Sequence, residues 1–226
     1  GMPDLHAAES STAYLDALRR YQRWELLRIG TCDLLDRFDL PAVTAQLSNL
    51  ADSLIQAALS FAATQVRGDP ELARFTVLAL GKLGGQELNY SSDIDLLFLA
   101  EADASNYRQL GERLISALTE MTNEGFLYRV DMRLRPWGRS GPLVTSTQGY
   151  LSYLNKHARV WEKQALLKGR AVAGNLSAGK AFLKDATPIL FGIVTDEARE
   201  NVLTMRTLTE SRLQQKGLAW GEVKQG

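Results

Sequence analysis

The chain has 226 residues, 45% hydrophobic and 23% charged, with 26 Lys plus Arg balancing 26 Asp plus Glu. That length and composition describe a globular protein whose core needs no disulfide or structural metal, and they exclude intrinsic disorder. Zero net charge argues against a dedicated nucleic-acid binder, and one cysteine with two histidines leaves carboxylates as the only plentiful metal ligands, which favours Mg²⁺ or Mn²⁺.

No stretch reads as a membrane span. The longest uncharged apolar run, Ser53 to Val66, is short and contains Gln56 and Gln65. No secretory signal is expected, Gly1 before Met2 reads as an expression remnant, and the expected compartment is the cytoplasm.

The first third reads as helix. Tyr14, Leu18, Tyr21, Leu26 and Ile29 recur at helical spacing up to Gly30. Val43, Leu47, Leu50, Leu54, Ala58 and Phe61 mark a second helix, with Pro41 in its first turn and Gly68-Asp69-Pro70 as its stop. Phe75 to Leu80 is a short apolar run with β-formers, read as a buried strand. The glycine-rich turn Gly81-Lys82-Leu83-Gly84-Gly85 follows, and a second strand runs from Asp93 to Leu99. Tyr107 to Met121 reads as helix, and Leu127 to Arg135 alternates as a third strand. After a turn at Pro136 to Pro142 the remainder reads as mostly helical. Ser146 is the expected N-cap of a helix carrying Tyr150 and Leu154, and a last helix over 196–215 is expected to be capped by Gly217. The expected organisation is a helical segment over 1–70, a mixed core over 71–175 and a helical segment over 176–226.

The chemistry concentrates in the middle. Asp93 and Asp95 lie two apart on a strand, hence on one face and roughly 6.5–7 Å apart, suited to sharing a divalent cation. The alternative is an exposed polar strand end. Asp131 sits among Arg129, Arg133 and Arg135, which reads either as a structural ion-pair ladder or as a metal-binding carboxylate among phosphate-clamping guanidinium groups. The glycine turn is neither a Walker A loop nor a dinucleotide fingerprint. Beside Asp93 and Asp95, with Ser92 adding a hydroxyl, it supplies backbone donors for a phosphate that the metal neutralises. Between Glu124 and Arg170 nine bases face three acids, a local basic band that suits a polyphosphate or a protein-borne nucleotide. Cys32 is expected in a core, His157 at the surface or on a cap, and Trp161 in packing.

At these residues the chain resembles the glutamine synthetase adenylyltransferase family. The resemblance is carried by Leu80 through Leu96, by Tyr128 through Pro136, by Ser140-Gly141-Pro142-Leu143-Val144 and by Trp161 through Arg170; Arg28 through Leu54 is similar to the family's leading helices. It implies an α+β fold, a polymerase-beta-like nucleotidyltransferase core with a small mixed sheet flanked by N-terminal and C-terminal helices. It implies catalytic, metal-binding aspartates at Asp93, Asp95 and Asp131, with Mg²⁺ or Mn²⁺ as cofactor. Lys82, Gly84, Gly85, Ser92, Arg133 and Arg135 are then expected to bind nucleotide or phosphate. The implied activity is removal of AMP from a tyrosine of glutamine synthetase by phosphorolysis, or its addition from ATP, in the control of nitrogen assimilation. Asp131 is the candidate base for a tyrosine nucleophile. Implied partners are glutamine synthetase, ATP, ADP, AMP and phosphate, and a nitrogen-regulatory signalling protein, with no nucleic acid and no membrane. Arg129 and the Ser-Gly-Pro-Leu-Val run are more similar to the amino-terminal, de-adenylylating half. The competing readings are the adenylylating half, another nucleotidyltransferase of the superfamily, and a non-catalytic nucleotide-binding module.

Overall fold

The structure is a computed structural model that describes residues 2–3, 11–68, 70–101, 103–192 and 196–215. Two long helices lead, α1 (Ser11–Leu34) and α2 (Leu40–Thr64). The α1 helix passes through Gly30, where its expected end lay. Asp39 caps α2 by accepting a hydrogen bond from the Ala42 amide at 2.9 Å, and Pro41 sits in the first turn, where its missing N–H costs nothing.

Strand β1 (Phe75–Leu80) is followed by the single helical turn α3 (Gly81–Gly84) and by β2 (Ile94–Ala100). Then come α4 (Arg108–Thr119), β3 (Val130–Asp131), β4 (Val144–Ser146), α5 (Thr147–Lys156), α6 (Val160–Leu166), β5 (Arg170–Gly174), α7 (Leu176–Phe191) and α8 (Asp196–Gln215). The five strands form one mixed sheet in the order β3-β2-β1-β5, and β4 lies beside β2 along the same edge as β3. The β1 strand pairs antiparallel with β2 and β5, whereas β2 pairs parallel with β3 and β4. The expected small mixed sheet flanked by helices is therefore the architecture.

Both sheet faces are covered. Phe75, Val77, Ala79, Ile94, Leu96 and Phe98 pack with α1, α2 and α4, while Leu78, Leu80, Leu97 and Leu99 pack with α5, α6 and α7. Leu54, Ile55 and Leu59 of α2 are fully buried, and each such side chain contributes about 2 kcal/mol relative to exposure. Two-sided burial explains why β1 and β2 read as continuous apolar runs.

Four expected elements differ. The third strand covers only Val130–Asp131, because Asp131 accepts the Arg133 backbone N–H at 2.9 Å and turns the chain out of the sheet. The glycine segment is a helical turn rather than an open loop, with the Gly85 amide donating back to the Gly81 carbonyl at 3.1 Å. The helical remainder contains β4 and β5, and β5 closes the sheet against β1. The α4 helix ends at Thr119, and Met121 is exposed. Ser146 caps α5 as expected, and exposed His157 follows it as its C-cap. Cys32 is half-buried on α1 rather than in the core, and Trp161 is partly exposed. His6 and Gly217 lie outside the described residues.

Candidate active site

The site begins with strand register. Asp95 on β2 is the partner of Asp131 on β3, as Ile94 is of Val130. Parallel strands in register carry matched side chains on the same face, so the two carboxylates stand side by side. Asp93 precedes β2 by one residue and is exposed, whereas Asp95 and Asp131 are half-buried. Beyond them along β2 the same face is closed by α5 to α7, and the aspartates occupy the end those helices leave open.

The segment that presents Asp131 is fixed by α1. Arg19 donates to the Glu120 carbonyl at 2.7 Å and Gln22 to the Leu127 carbonyl at 2.6 Å. Arg20 and Arg23 pair with Glu124, whose carboxyl these bonds hold below its ordinary range. The leading helices thus set the approach of β3 to β2.

The Gly81 backbone lies against the Asp95 carboxylate. Its φ is +58°, and a Cβ built on it would overlap the Asp95 carboxylate. Only glycine satisfies both demands. From the same turn, Lys82 Nζ donates to Ser92 Oγ at 3.3 Å, and Ser92 donates to Asn89. Lys82 and Ser92 are therefore brought together beside Asp93.

Arginines hold two of the carboxylates. Arg129 Nε meets Asp93 Oδ1 at 2.5 Å and also bonds the Ser91 carbonyl at 2.9 Å. Arg133 is bidentate on Asp131, with Nε at 2.8 Å and Nη2 at 2.5 Å from Oδ2. These bonds hold the Asp131 carboxyl below the usual carboxylate range, and Arg139 nearby adds to the effect. The Arg133 guanidinium is raised first by Asp131, then also by Asp95 and Asp93, so it lies within electrostatic reach of all three carboxylates. Of the two readings of the Asp131 arginines, the ion pairs are what the structure contains: Arg129 on Asp93 and Arg133 on Asp131.

Three expected phosphate-site residues have packing or stapling contacts of their own. A Cβ on Gly84 would strike the Lys168 and Ala79 carbonyls, and one on Gly85 would meet the Lys168 side chain at 2.9 Å. These glycines let α3 pack against the chain before β5. Arg135 spends its guanidinium on the Met132, Arg139 and Gly141 carbonyls at 3.0–3.3 Å, stapling the loop after β3. Sequence reading did not single out Gly81, Asn89 or the Asp52–Arg170 pair. Arg170 reaches from β5 to Asp52 on α2 and to the Leu83 carbonyl of α3, anchoring the turn that carries Gly81.

The donor set of Asp93, Asp95 and Asp131 is all carboxylate oxygen, the chemistry of a hard divalent cation. As arranged, Asp93 and Asp131 serve arginines, and among the described residues no three His, Cys, Asp or Glu side chains are grouped closely enough to hold a metal ion. The donor type and the Asp95–Asp131 register fit such a cation; assembling all three ligands would require exchanging the two arginine pairs. Among the described residues no helix is long and apolar enough to cross a membrane.

Comparison with known proteins places the chain. A family described as glutamate-ammonia ligase adenylyltransferase matches residues 3–185. A bifunctional glutamine synthetase adenylyltransferase/adenylyl-removing enzyme of Thioalkalivibrio sulfidiphilus is 38% identical over 206 residues, covering 83% of this chain and 21% of that protein. Proteins of the same name from Hahella chejuensis and Chromobacterium violaceum are 36% and 40% identical, covering 99% and 86% of this chain but 25% and 22% of theirs. The chain spans about a fifth to a quarter of the length of these relatives. With a match over most of its residues, the chain belongs to the glutamate-ammonia ligase adenylyltransferase family.

Proposed function

We propose that this chain carries one nucleotidyltransferase centre acting on the AMP-modified tyrosine of glutamine synthetase, in the direction of removal. The observation that carries the reading is the parallel register of Asp95 and Asp131, with the Gly81 backbone against Asp95. The names of the relatives support adenylyl chemistry on glutamine synthetase.

Asp93, Asp95 and Asp131 would hold Mg²⁺ or Mn²⁺. When bound, that ion supplies charge neutralisation at the phosphoryl oxygens and orients an in-line displacement. The remaining work falls to side chains of this chain. In removal, an oxygen of inorganic phosphate attacks the AMP phosphorus. The new phosphorus–oxygen bond gives ADP, the bond to the tyrosine oxygen breaks, and that oxygen takes up a proton. Arg133, within electrostatic reach of all three carboxylates, offers a guanidinium to an attacking phosphate. Lys82 and Ser92, already joined by a hydrogen bond, offer a cation and a hydroxyl to the AMP phosphate. A strong general base is not required, because phosphate is already anionic at neutral pH. That suits a site in which Asp131 serves either Arg133 or a cation and is left with no separate role as a base.

The test incubates the chain with AMP-labelled glutamine synthetase, phosphate and Mg²⁺, and follows labelled ADP. Asp95→Asn is expected to abolish ADP release while the circular dichroism spectrum persists. Wild-type turnover in that variant removes the aspartates from the mechanism. Labelled AMP moving from ATP onto unmodified glutamine synthetase, with no ADP release, assigns the opposite direction. Tight nucleotide binding without either reaction favours a binding module, the reading to which the arginine-paired carboxylates lend support.

A further inference from the structure

A second basic feature lies at the other end of β2. There β4 runs alongside, with Leu99 opposite Thr145 and Ala100 opposite Ser146. Leu99 is four residues from Asp95, roughly 13 Å along the strand at ~3.3 Å per residue. At this end the first turn of α4 and the loop between β3 and β4 enclose a groove of about 820 Å³. That volume falls in the range of small-molecule sites.

Three arginines line the groove against one acid, Glu112. Their donors are unequally used. Arg135 is spent on backbone carbonyls and makes the wall rigid. Arg108 gives only Nε to Glu112, at 2.8 Å on an exposed surface. Arg139 is exposed, and its guanidinium makes no hydrogen bond or ion pair among the described residues.

We propose that this groove is a second anion site, which takes the phosphate group of a small phosphorylated molecule of about nucleotide size. The Arg139 guanidinium and the Nη atoms of Arg108 present donors with no matching acceptor. A phosphate has enough oxygens to meet both arginines at once, whereas a carboxylate has two. The groove lies at the Leu99 end of β2, and Arg139 on its rim is also within electrostatic reach of Asp131, so the Lys82→Ala control distinguishes the groove from the aspartate site.

Pyrophosphate titration by calorimetry, at constant ionic strength and with EDTA present, tests this. Without divalent cations the three carboxylates at the opposite end repel the probe. A single saturable site is expected. Arg108→Ala and Arg139→Ala each weaken it roughly tenfold, as for the loss of one charge-assisted hydrogen bond. Lys82→Ala at the aspartate end leaves it unchanged, and AMP competes for it. Both arginines are exposed, so these variants keep the wild-type melting temperature. Absence of saturable binding overturns the proposal, as does loss of binding in Lys82→Ala with retention in both arginine variants. Displacement of pyrophosphate by an oligoglutamate peptide but not by AMP overturns the small-molecule assignment.

Discussion

Asp95 and Asp131 are register partners on parallel strands, and the backbone of Gly81 closes directly over the Asp95 carboxylate. The carboxylate pair is thus positioned by the sheet, and its free edge is set by one glycine. Gly81→Ala meets two penalties at once, a φ of +58° and an overlap with Asp95. The strain costs about 1–3 kcal/mol, and its relief moves Asp95. ADP release from AMP-labelled glutamine synthetase is expected to fall at least 100-fold, about 2.7 kcal/mol in the barrier, while the chain still melts cooperatively. Unchanged turnover in Gly81→Ala removes the glycine from the site.

Gly84 predicts the opposite division. Its missing Cβ leaves room for the Lys168 and Ala79 carbonyls, which cannot retreat without breaking the contact between α3 and the chain before β5. Gly84→Ala is expected to lower unfolding free energy by about 2–4 kcal/mol, as overpacking against backbone does. Residual activity per folded molecule stays near wild type. A stable but inactive Gly84→Ala would return this glycine to the phosphate-binding role that its motif suggests.

Much of this arrangement was legible in the sequence, and the parts that were not share a cause. The β1 and β2 strands show as apolar runs because both their faces are buried. Asp93 and Asp95 stand out because a charge at every second residue interrupts such a run. By contrast, the alternation from Leu127 to Arg135 looks like one long strand but reflects two separate jobs: Arg129 and Arg133 hold aspartates, and Arg135 staples a loop. The β5 strand is invisible because Arg170-Ala-Val-Ala-Gly has little β-forming bulk and takes its pairing from β1 across a register shift. Which glycine of the turn faces the aspartates depends on φ and on the approach of Lys168, neither of which is written locally.

Arg129 competes for Asp93. The pair is exposed on both sides, a class worth about 1 kcal/mol or less. Removing the guanidinium frees a carboxylate and deletes a positive charge near any cation that binds. Arg129→Gln is therefore expected to tighten Mn²⁺ binding by roughly fivefold or less, read by paramagnetic resonance of free Mn²⁺. Weaker binding in the variant would show that Arg129 assists the cation instead.

Arg170 ties three elements together. It is bidentate on Asp52 and donates to the Leu83 carbonyl, with both partners of the ion pair mostly buried. Burial raises the Asp52 carboxyl, and Arg170 opposes that rise. Arg170→Met leaves Asp52 uncompensated and is expected to cost about 2–3 kcal/mol in urea unfolding, somewhat below the cost for a wholly buried pair. Asp52→Asn in the same background is expected to recover part of the loss. A double-mutant cycle with no coupling would show that the two side chains stabilise the fold independently.

Tyr90 gives the fold an alkaline signature. Its hydroxyl donates to Asp33 Oδ2 at 2.9 Å, joining the loop before Ser92 to the end of α1. Desolvation, then the hydrogen bond and the Asp33 charge, push the phenol from its ordinary value up to about 12. The folded state thus favours the neutral phenol. Its contribution to stability is complete below the unfolded value near pH 10. It declines as pH rises through that value and is lost above the folded value of about 12. The side chain is about half exposed, so the effect is modest but located in one pH window. Unfolding free energy measured between pH 8 and pH 12 is expected to fall more steeply in wild type than in Tyr90→Phe, which lacks the ionisable group. Asp33→Asn, which keeps an acceptor but removes the charge, is expected to lower the phenol midpoint in an absorbance titration. Parallel stability curves for wild type and Tyr90→Phe would show that the Tyr90–Asp33 link does not hold the Ser92 loop to α1.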